Sequence, residues 1–409
     1  MSPTSTTTAP GPSPTQSLAR GGMVLTAAGL FTGLANYATN ATLARSLDAA
    51  GFGDAALAVT FMLATTGLAA IVQLVTAQRV ASTGAAATTR RFGLRVGAAA
   101  ALALGLAAPL FADLFKTDGS LIFTLLALGL PFQMVLAVER GTLQGRLRFV
   151  TLAATFAVEG TLRLLATVIA LQLGVGAGAS AIGISVSLAI ASLFAIALSR
   201  HTTGAPATPT MGNVAPIAAT AALLAGQIVL ANADLLIVKY GFVPEAAGAF
   251  ALAALAGRAF HFVAAAITNT VFPVVAAAPH TAGSRRIVVR AVLGLSALGI
   301  LATTIAWGFA DGIVQALGAG DESVAAELVG PYVLATALLA IAHLLAAVDV
   351  AAGGCRAAHI MVAAGVLQAA MVIAAAHDVP AVLDIRIGVA AVLVAVQARR
   401  SLRPTEVSS

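Results

Sequence analysis

Five aspartates, glutamates or arginines lie within segments of the sequence that are otherwise almost entirely apolar: Glu159, Arg163, Asp234, Arg258 and, at the end of its segment where water can solvate it, Asp349. A charge at the centre of a lipid bilayer costs at least ~2.5–3.5 kcal/mol, so such residues usually pair with one another or face a cavity. An arginine can hold a phosphate through two parallel hydrogen bonds, and a carboxylate can balance that charge or exchange a proton or cation. The chemistry indicated is anion binding inside a membrane.

Glu159 and Arg163 are four residues apart, which places them on one face of a helix within pairing distance. Two interpretations are open. The pair stabilises its own helix, or Arg163 meets an anionic headgroup at a cavity wall while Glu159 balances its charge. Loss of stability on removing one partner would not distinguish them, because either arrangement leaves a buried charge without its partner.

A second group lies in the second half of the chain. Asp234 follows Asn232 in one apolar segment, and Arg258 precedes His261 by three residues in the next, so the latter two share a helix face. One interpretation places Asp234, Arg258 and His261 around a cavity, with Arg258 holding a diphosphate. The other is a buried Asp234–Arg258 ion pair between helices.

The first apolar segment contributes amides and a cation. Asn36 and Asn40 are one helical turn apart, and they either line a cavity or form hydrogen bonds between helices. Arg45 follows at the end of this segment, where it either contacts an anion or anchors the helix at the membrane interface.

Membrane-spanning helices must position these residues, because the chain of 409 residues is 59% hydrophobic and only 9% charged. Soluble domains carry roughly 25% charged residues, so an ordinary soluble enzyme is excluded. A span needs about 20 apolar residues, and an all-α protein with about twelve spans is predicted: 22–44, 55–77, 93–112, 121–138, 150–172, 179–199, 214–238, 248–271, 287–310, 328–349, 359–376 and 380–397.

Most of the 22 lysines and arginines, Arg140 among them, fall on one side of these spans, which predicts cytoplasmic N and C termini. The opposite side is predicted to hold four: Arg45, Lys116, Lys239 and Arg386. The net charge of +6 is thereby explained by topology, and a nucleic-acid partner is not expected. No phosphate-binding loop, HExxH pair or cysteine cluster occurs, so neither a cofactor nor a metal is expected.

An internal repeat aligns residues 47–58 with residues 242–253, each following the first helix of a half. It predicts two parallel six-helix lobes with a substrate site between them. The predicted organisation is a disordered cytoplasmic tail (1–20), a first lobe (21–200), a cytoplasmic linker (201–213), a second lobe (214–398) and a cytoplasmic tail (399–409).

Several motifs occur in an order and spacing that resemble one transporter family. They are "LARSL" through "GFG" at 43–53, "GTLQGRLRF" at 141–149, Asp234 through "PEAAGAF" at 244–250, and "FP" at 272–273. The sequence is similar to the multidrug/oligosaccharidyl-lipid/polysaccharide (MOP) exporter superfamily, on its Wzx-type oligosaccharide flippase branch.

This resemblance implies a MATE-like bundle that opens alternately to each side of the bacterial inner membrane. It implies a flippase, not an enzyme, that moves a polyprenyl-diphosphate-linked saccharide, with membrane lipids and glycan-assembly proteins as partners. In related flippases cavity arginines hold the diphosphate, and by helix Arg45 and Arg258 correspond to them. Two alternatives stay open: a drug or metabolite antiporter of the same superfamily, and a membrane enzyme of glycan assembly using Asp321 or Glu322.

Overall fold

The computed structural model describes residues 14–83, 87–200, 215–317 and 323–401, and in these ranges the regular structure is entirely helical. Helices satisfy every backbone hydrogen bond within the segment, as lipid requires. Thirteen helices are present in the described residues: α1 (Pro14–Ser46), α2 (Ala49–Thr83), α3 (Ala87–Phe115), α4 (Leu121–Gly145), α5 (Phe149–Gln172), α6 (Gly178–Arg200), α7 (Ala215–Gly241), α8 (Pro244–Ala277), α9 (Ala282–Gly308), α10 (Ala310–Ala316), α11 (Ser323–Ala351), α12 (Arg356–Ala375) and α13 (Val379–Ser401).

Eleven of these helices, α2 to α9 and α11 to α13, are long and apolar enough to cross a membrane. Helix α1, with 33 residues, packs against α5 and α8 inside the same bundle. These twelve helices match the predicted spans in order, and the multi-pass membrane fold is confirmed. Helix α10 has only seven residues and lies where the sequence predicted a plain connection. The predicted tails (1–20 and 399–409) and linker (201–213) lie mostly outside the described residues.

The long helices pack in two groups. In the first, α4 packs against α2, α3 and α6, and α5 packs against α1 and α6. In the second, α11 packs against α8, α9 and α13, and α7 packs against α12. Helices α1 and α2 of the first lobe meet α7 and α8 of the second, so these four helices form the main seam between the lobes.

The lobes share a buried core at one end of this seam. Leu43 and Phe52 of the first lobe belong to one apolar cluster with Leu235 and Phe250 of the second. The backbones are in contact there, because a side chain at Gly248 would collide with the backbone of Ala49. We call this end, which carries the α1–α2 and α7–α8 connections, the closed end.

At the opposite end, each cluster of buried apolar residues in the described chain lies within a single lobe. One joins Val72 of α2 to Met134 and Val138 of α4. Another joins Leu223 of α7 to Met361 of α12. The lobes are therefore held together at the closed end and have separate apolar cores at the other end.

The topology prediction can be tested with one native and one introduced cysteine. Cys355 is the only cysteine in the sequence and is exposed between α11 and α12, on the predicted cytoplasmic side. In intact cells we expect Cys355 to resist an impermeant maleimide. The variant His377→Cys, in an exposed turn before α13 and in a Cys355→Ser background, should react readily. The reverse labelling pattern would invert the assigned orientation.

Candidate functional site

A cavity of about 260 Å³ lies between the two lobes, next to the closed end. Eight helices contribute to its wall: α1, α2, α5 and α6 from the first lobe, and α7, α8, α11 and α13 from the second. The wall carries three guanidinium groups and one imidazole, from Arg163, Arg258, Arg386 and His261. No aspartate or glutamate is among the described residues that line it.

The residues that the sequence singled out fall into three positions. Six line the cavity: Asn36, Asn40, Arg163, Asn232, Arg258 and His261. Glu159 and Asp234 are buried behind the wall, each in contact with one of its arginines. Arg45 is exposed outside the cavity, where Nε and Nη2 donate to the carbonyl oxygen of Ala316 in α10, at 3.0 and 2.6 Å.

Arg163 is held in place from two sides. Glu159, one turn earlier in α5, forms the ion pair that the four-residue spacing predicted. Nη1 of Arg163 also donates to Oδ1 of Asn36 in α1, at 2.7 Å. The two interpretations of the pair are therefore compatible, since Arg163 is paired within its helix and also lines the cavity.

Glu159 has a second partner that sequence reasoning placed wrongly. Nη2 of Arg140 donates to Oε2 of Glu159 at 2.7 Å. The guanidinium of Arg140 lies 3.8 Å from the ring centre of Phe156. The sequence assigned Arg140 to a cytoplasmic loop. Helix α4 instead continues to Gly145, so Arg140 is a buried helical residue that helps to fix the carboxylate behind Arg163.

Asp234 pairs with Arg386, not with Arg258. Arg386 was predicted on the outer surface, but α13 begins at Val379, so Arg386 lies two turns inside the helix and is only 2% exposed. Arg386 also donates to the hydroxyl oxygen of Tyr332 at 2.7 Å, and its guanidinium lies 4.2 Å from that ring centre. The sequence did contain a signal that Arg386 is buried, because it is a charged residue inside an otherwise apolar segment.

Arg258 has no hydrogen bond or ion pair to any residue that the structure describes. Its side chain is partly buried and borders the cavity beside His261. Arg163 and Arg386 each have a carboxylate behind them, whereas Arg258 has none in direct contact. The wall therefore has a net positive charge, with donors free to bind an anion.

Replacing Asp234 should destabilise the protein strongly. In Asp234→Asn, the buried guanidinium of Arg386 loses its charge partner, and breaking such a pair typically costs ~3–5 kcal/mol. We expect a lower midpoint of thermal unfolding for the detergent-purified protein. The double variant Asp234→Asn/Arg386→Gln should recover part of the loss, because no lone charge is then buried. An unchanged midpoint in the single variant would contradict this pairing.

Two further residues predicted to be on the outside are buried in the seam near the closed end. Nζ of Lys239 lies 2.5 Å from Oδ1 of Asp54, with the side chains 2% and 8% exposed. The sequence placed both in outer loops, but α7 continues to Gly241 and α2 begins at Ala49. The pair joins α7 to α2. Among the described residues, it is the ion pair that connects the two lobes.

No protein-family model matches this sequence, and no curated protein sequence matches it. Solved structures share its fold. A multidrug resistance MATE family transporter of the MOP superfamily, in an inward-facing conformation, aligns with a TM-score of 0.71 over 95% of this chain and 100% of its own, at 13% sequence identity. A eukaryotic MATE transporter, AtDTX14, aligns with a TM-score of 0.60 over 94% and 98% of the two chains, at 14% identity.

A MOP superfamily transporter from Pyrococcus furiosus aligns with a TM-score of 0.63 over 93% of this chain and 95% of its own, at 15% identity. It is described as having a binding pocket of reversed polarity, which suggests a different function for that protein. At these identities the similarity establishes the fold, and the chain has the MATE-like transporter fold.

Proposed function

We propose that this protein is a flippase that moves a polyprenyl-diphosphate-linked oligosaccharide or glycan precursor across the bacterial inner membrane by alternating access. The observation that carries this proposal is the charge of the cavity wall. Three arginines line the space between the lobes, and no carboxylate does so among the described residues. A cavity of this polarity selects an anion, and a diphosphate offers oxygens to more than one guanidinium at once.

The arginines have different parts in this proposal. Arg163 and Arg386 are oriented by Glu159 and Asp234 behind them, so the donors are positioned before the headgroup arrives. Preorganisation of this kind lowers the entropic cost of binding. Arg258 has no partner among the described residues, so of the three arginines it gains the most in hydrogen bonds and charge pairing when the anion binds.

Uncharged polar groups complete the site. Asn36 and Asn40 of α1 and Gln227 and Asn232 of α7 border the same cavity from opposite lobes. The side-chain oxygen of Asn40 is buried and accepts no hydrogen bond from a described residue. Amides that face a cavity can pair with hydroxyl groups, so these residues are assigned to the saccharide next to the diphosphate.

The packing of the lobes supports alternating access. The shared core and the Asp54–Lys239 ion pair hold the lobes together at the closed end, whereas the other end has separate cores. By the predicted topology the cavity then faces the cytoplasm, where a lipid-linked precursor would enter. Glycan-assembly proteins on either side of the membrane are the partners expected for the translocation of a lipid-linked precursor.

A drug or metabolite antiporter is the second candidate, since a multidrug resistance MATE family transporter has the same fold. A cationic drug would have to enter a cavity whose ionisable wall is cationic, which disfavours that cargo. The membrane-enzyme alternative depends on Asp321 and Glu322, which lie outside the described residues.

The proposal is tested by reconstituting the purified protein in liposomes with a fluorescent polyprenyl-diphosphate disaccharide. A membrane-impermeant quencher then reports movement between leaflets. We expect the lipid to exchange between leaflets much faster than in protein-free liposomes, and a neutral polyprenol analogue to show no acceleration. No acceleration of the diphosphate lipid, together with proton-dependent uptake of a cationic dye, would instead support the antiporter.

A further inference from the structure

A buried arginine that is not part of the cavity wall lies behind Glu159 in the first lobe. Arg140 of α4 is 8% exposed and does not line the cavity. Its Nε donates to the hydroxyl oxygen of Thr155, and its Nη2 donates to the carbonyl oxygen of the same residue, both at 3.0 Å. With the contacts to Glu159 and Phe156, these bonds fix the guanidinium against α5. The proposed function gives Arg140 no part.

Glu159 is shared between two arginines. One of its carboxylate oxygens accepts from Arg140 at 2.7 Å, and the other accepts from Arg163. None of the three side chains is more than 10% exposed, so their charges are screened only weakly by the solvent. One carboxylate cannot neutralise two guanidinium groups. The cluster of Arg140, Glu159 and Arg163 therefore keeps one net positive charge.

No other carboxylate among the described residues forms an ion pair with Arg140 or Arg163. Glu139 is the neighbour of Arg140 in the chain, but it pairs with Arg90 of α3 and accepts a hydrogen bond from the hydroxyl group of Ser199 in α6. The net charge of the cluster is therefore not cancelled by a further acid. It acts on the cavity through Arg163, which is the member of the cluster that lines the wall.

The second lobe has the same balance of charge in a different arrangement. Arg258 and Arg386 both line its part of the cavity, and Asp234 pairs with Arg386. Two arginines and one aspartate again leave one net positive charge. Counted over arginines and carboxylates, each lobe thus presents one positive charge in excess to the space between them. The first lobe does so with only one arginine in its wall, because its second arginine is Arg140.

We propose that Arg140 sets the charge of the anion site from outside the cavity, by sharing Glu159 with Arg163, and that the site thereby favours a headgroup with two negative charges. Without Arg140, Glu159 would neutralise Arg163, and the first lobe would contribute no net charge. A diphosphate esterified at both ends carries one negative charge on each phosphate, whereas a headgroup joined through a single phosphate carries one in all. The proposal rests on the anion site of the proposed function. It adds a residue that acts on the anion through its neighbours and not by contact.

The test is isothermal titration calorimetry of the full-length protein with two probes, farnesyl diphosphate and farnesyl monophosphate. In Arg140→Gln, Glu159 keeps Arg163 as its partner, so no buried charge is left alone. We expect this variant to bind the diphosphate about fivefold more weakly, which corresponds to ~1 kcal/mol, because a unit charge is lost close to the site in a medium of low effective dielectric. The loss should be smaller for the monophosphate, since the attraction scales with the charge of the probe.

Two further variants separate the charge of Arg140 from its structural contacts. Arg140→Lys keeps the positive charge and should retain most of the affinity for the diphosphate. Arg140→Gln/Glu159→Gln removes one positive and one negative charge, so the net charge of the cluster equals that of the wild type. This double variant should recover most of the affinity that Arg140→Gln loses, although it abolishes the ion pair between α4 and α5.

The matched control removes a cation from the other ion pair within the first lobe. Arg90 pairs with Glu139, and neither residue borders the cavity. The side chain of Arg90 is 38% exposed, so water screens its charge more strongly than that of Arg140. Arg90→Gln should therefore leave the affinity for both probes unchanged.

Each outcome bears on a separate statement. Wild-type affinity for the diphosphate in Arg140→Gln would overturn the proposal while leaving the anion site intact. Equal losses for the two probes, without recovery in the double variant, would give Arg140 a structural part only and would also overturn it. Failure of the wild type to bind either probe would overturn the proposed function and this proposal with it. If Arg140→Gln does not fold, Arg140→Met supplies a second neutral substitution for the same comparison.

Discussion

The variant Arg258→Ala should lose transport of a diphosphate-linked lipid while still inserting and folding. Arg258 borders the cavity and has no hydrogen bond or ion pair to lose among the described residues, so its removal leaves no protein group without its partner. When a protein side chain forms a buried charge pair with its binding partner, truncating that side chain typically costs ~2–5 kcal/mol of binding free energy. That corresponds to a loss of affinity of at least about 30-fold. The measurement is leaflet exchange of the fluorescent diphosphate lipid in liposomes, together with the Kd for farnesyl diphosphate.

Two matched variants make the result specific to this position. Arg258→Lys keeps the charge but loses the planar fork, so it should retain part of the affinity. Arg285→Ala removes an exposed arginine at the start of α9, far from the cavity wall, and should leave transport unchanged. Undiminished transport by Arg258→Ala would remove Arg258 from the mechanism.

Breaking the ion pair between Asp54 and Lys239 should shift the protein away from the state in which the closed end is shut. The two side chains are buried between α2 and α7, and loss of one partner leaves an uncompensated charge at a typical cost of ~3–5 kcal/mol. The lobes can relieve that cost by separating, which brings water to Lys239. In Asp54→Asn we therefore expect a cysteine placed at Asn232 to react at least about tenfold faster with an impermeant reagent added outside, since ~1.4 kcal/mol already gives that factor. The background carries Cys355→Ser.

The control is an ion pair of similar length within one lobe. Nε of Arg90 in α3 lies 2.5 Å from the buried carboxylate of Glu139 in α4. The variant Glu139→Gln should lower the thermal stability without changing the reaction rate of the cysteine at position 232, because it does not join the lobes. Similar acceleration in both variants would indicate general loosening, and the seam pair would then have no particular part in gating.

Local spacing in the sequence accounts for two arrangements that the structure has. The Glu159–Arg163 pair follows from helix geometry alone, since residues four apart always share a face. The same holds for the neighbouring positions of Arg258 and His261, both of which border the cavity. Hydropathy located the helices, because a segment must be apolar over about 20 residues to cross lipid.

Pairing between distant residues was predicted wrongly for three cations. Arg140 and Lys239 lie just beyond the ends of predicted spans, and each belongs to a helix that runs farther than its apolar segment. Arg386 lies within the last predicted span, and its charge alone led to its assignment to the outer side. Hydropathy detects the apolar length and not the helical length. It therefore assigned Arg140 and Lys239 to loops. All three cations instead have a buried carboxylate partner on another helix.

The sequence by itself determined a helical membrane protein of about twelve spans, because apolar length is a local property. Helical period likewise singled out charged and polar residues, and six of them line the cavity. Only the tertiary structure decided that Asp234 belongs to Arg386, that Asp54 and Lys239 join the lobes, and that Arg258 faces the cavity without a partner. Asp234 and Arg386 are 152 residues apart in the chain. Which of several arginines reaches a given carboxylate depends on how the helices pack, and no spacing in the sequence specifies it.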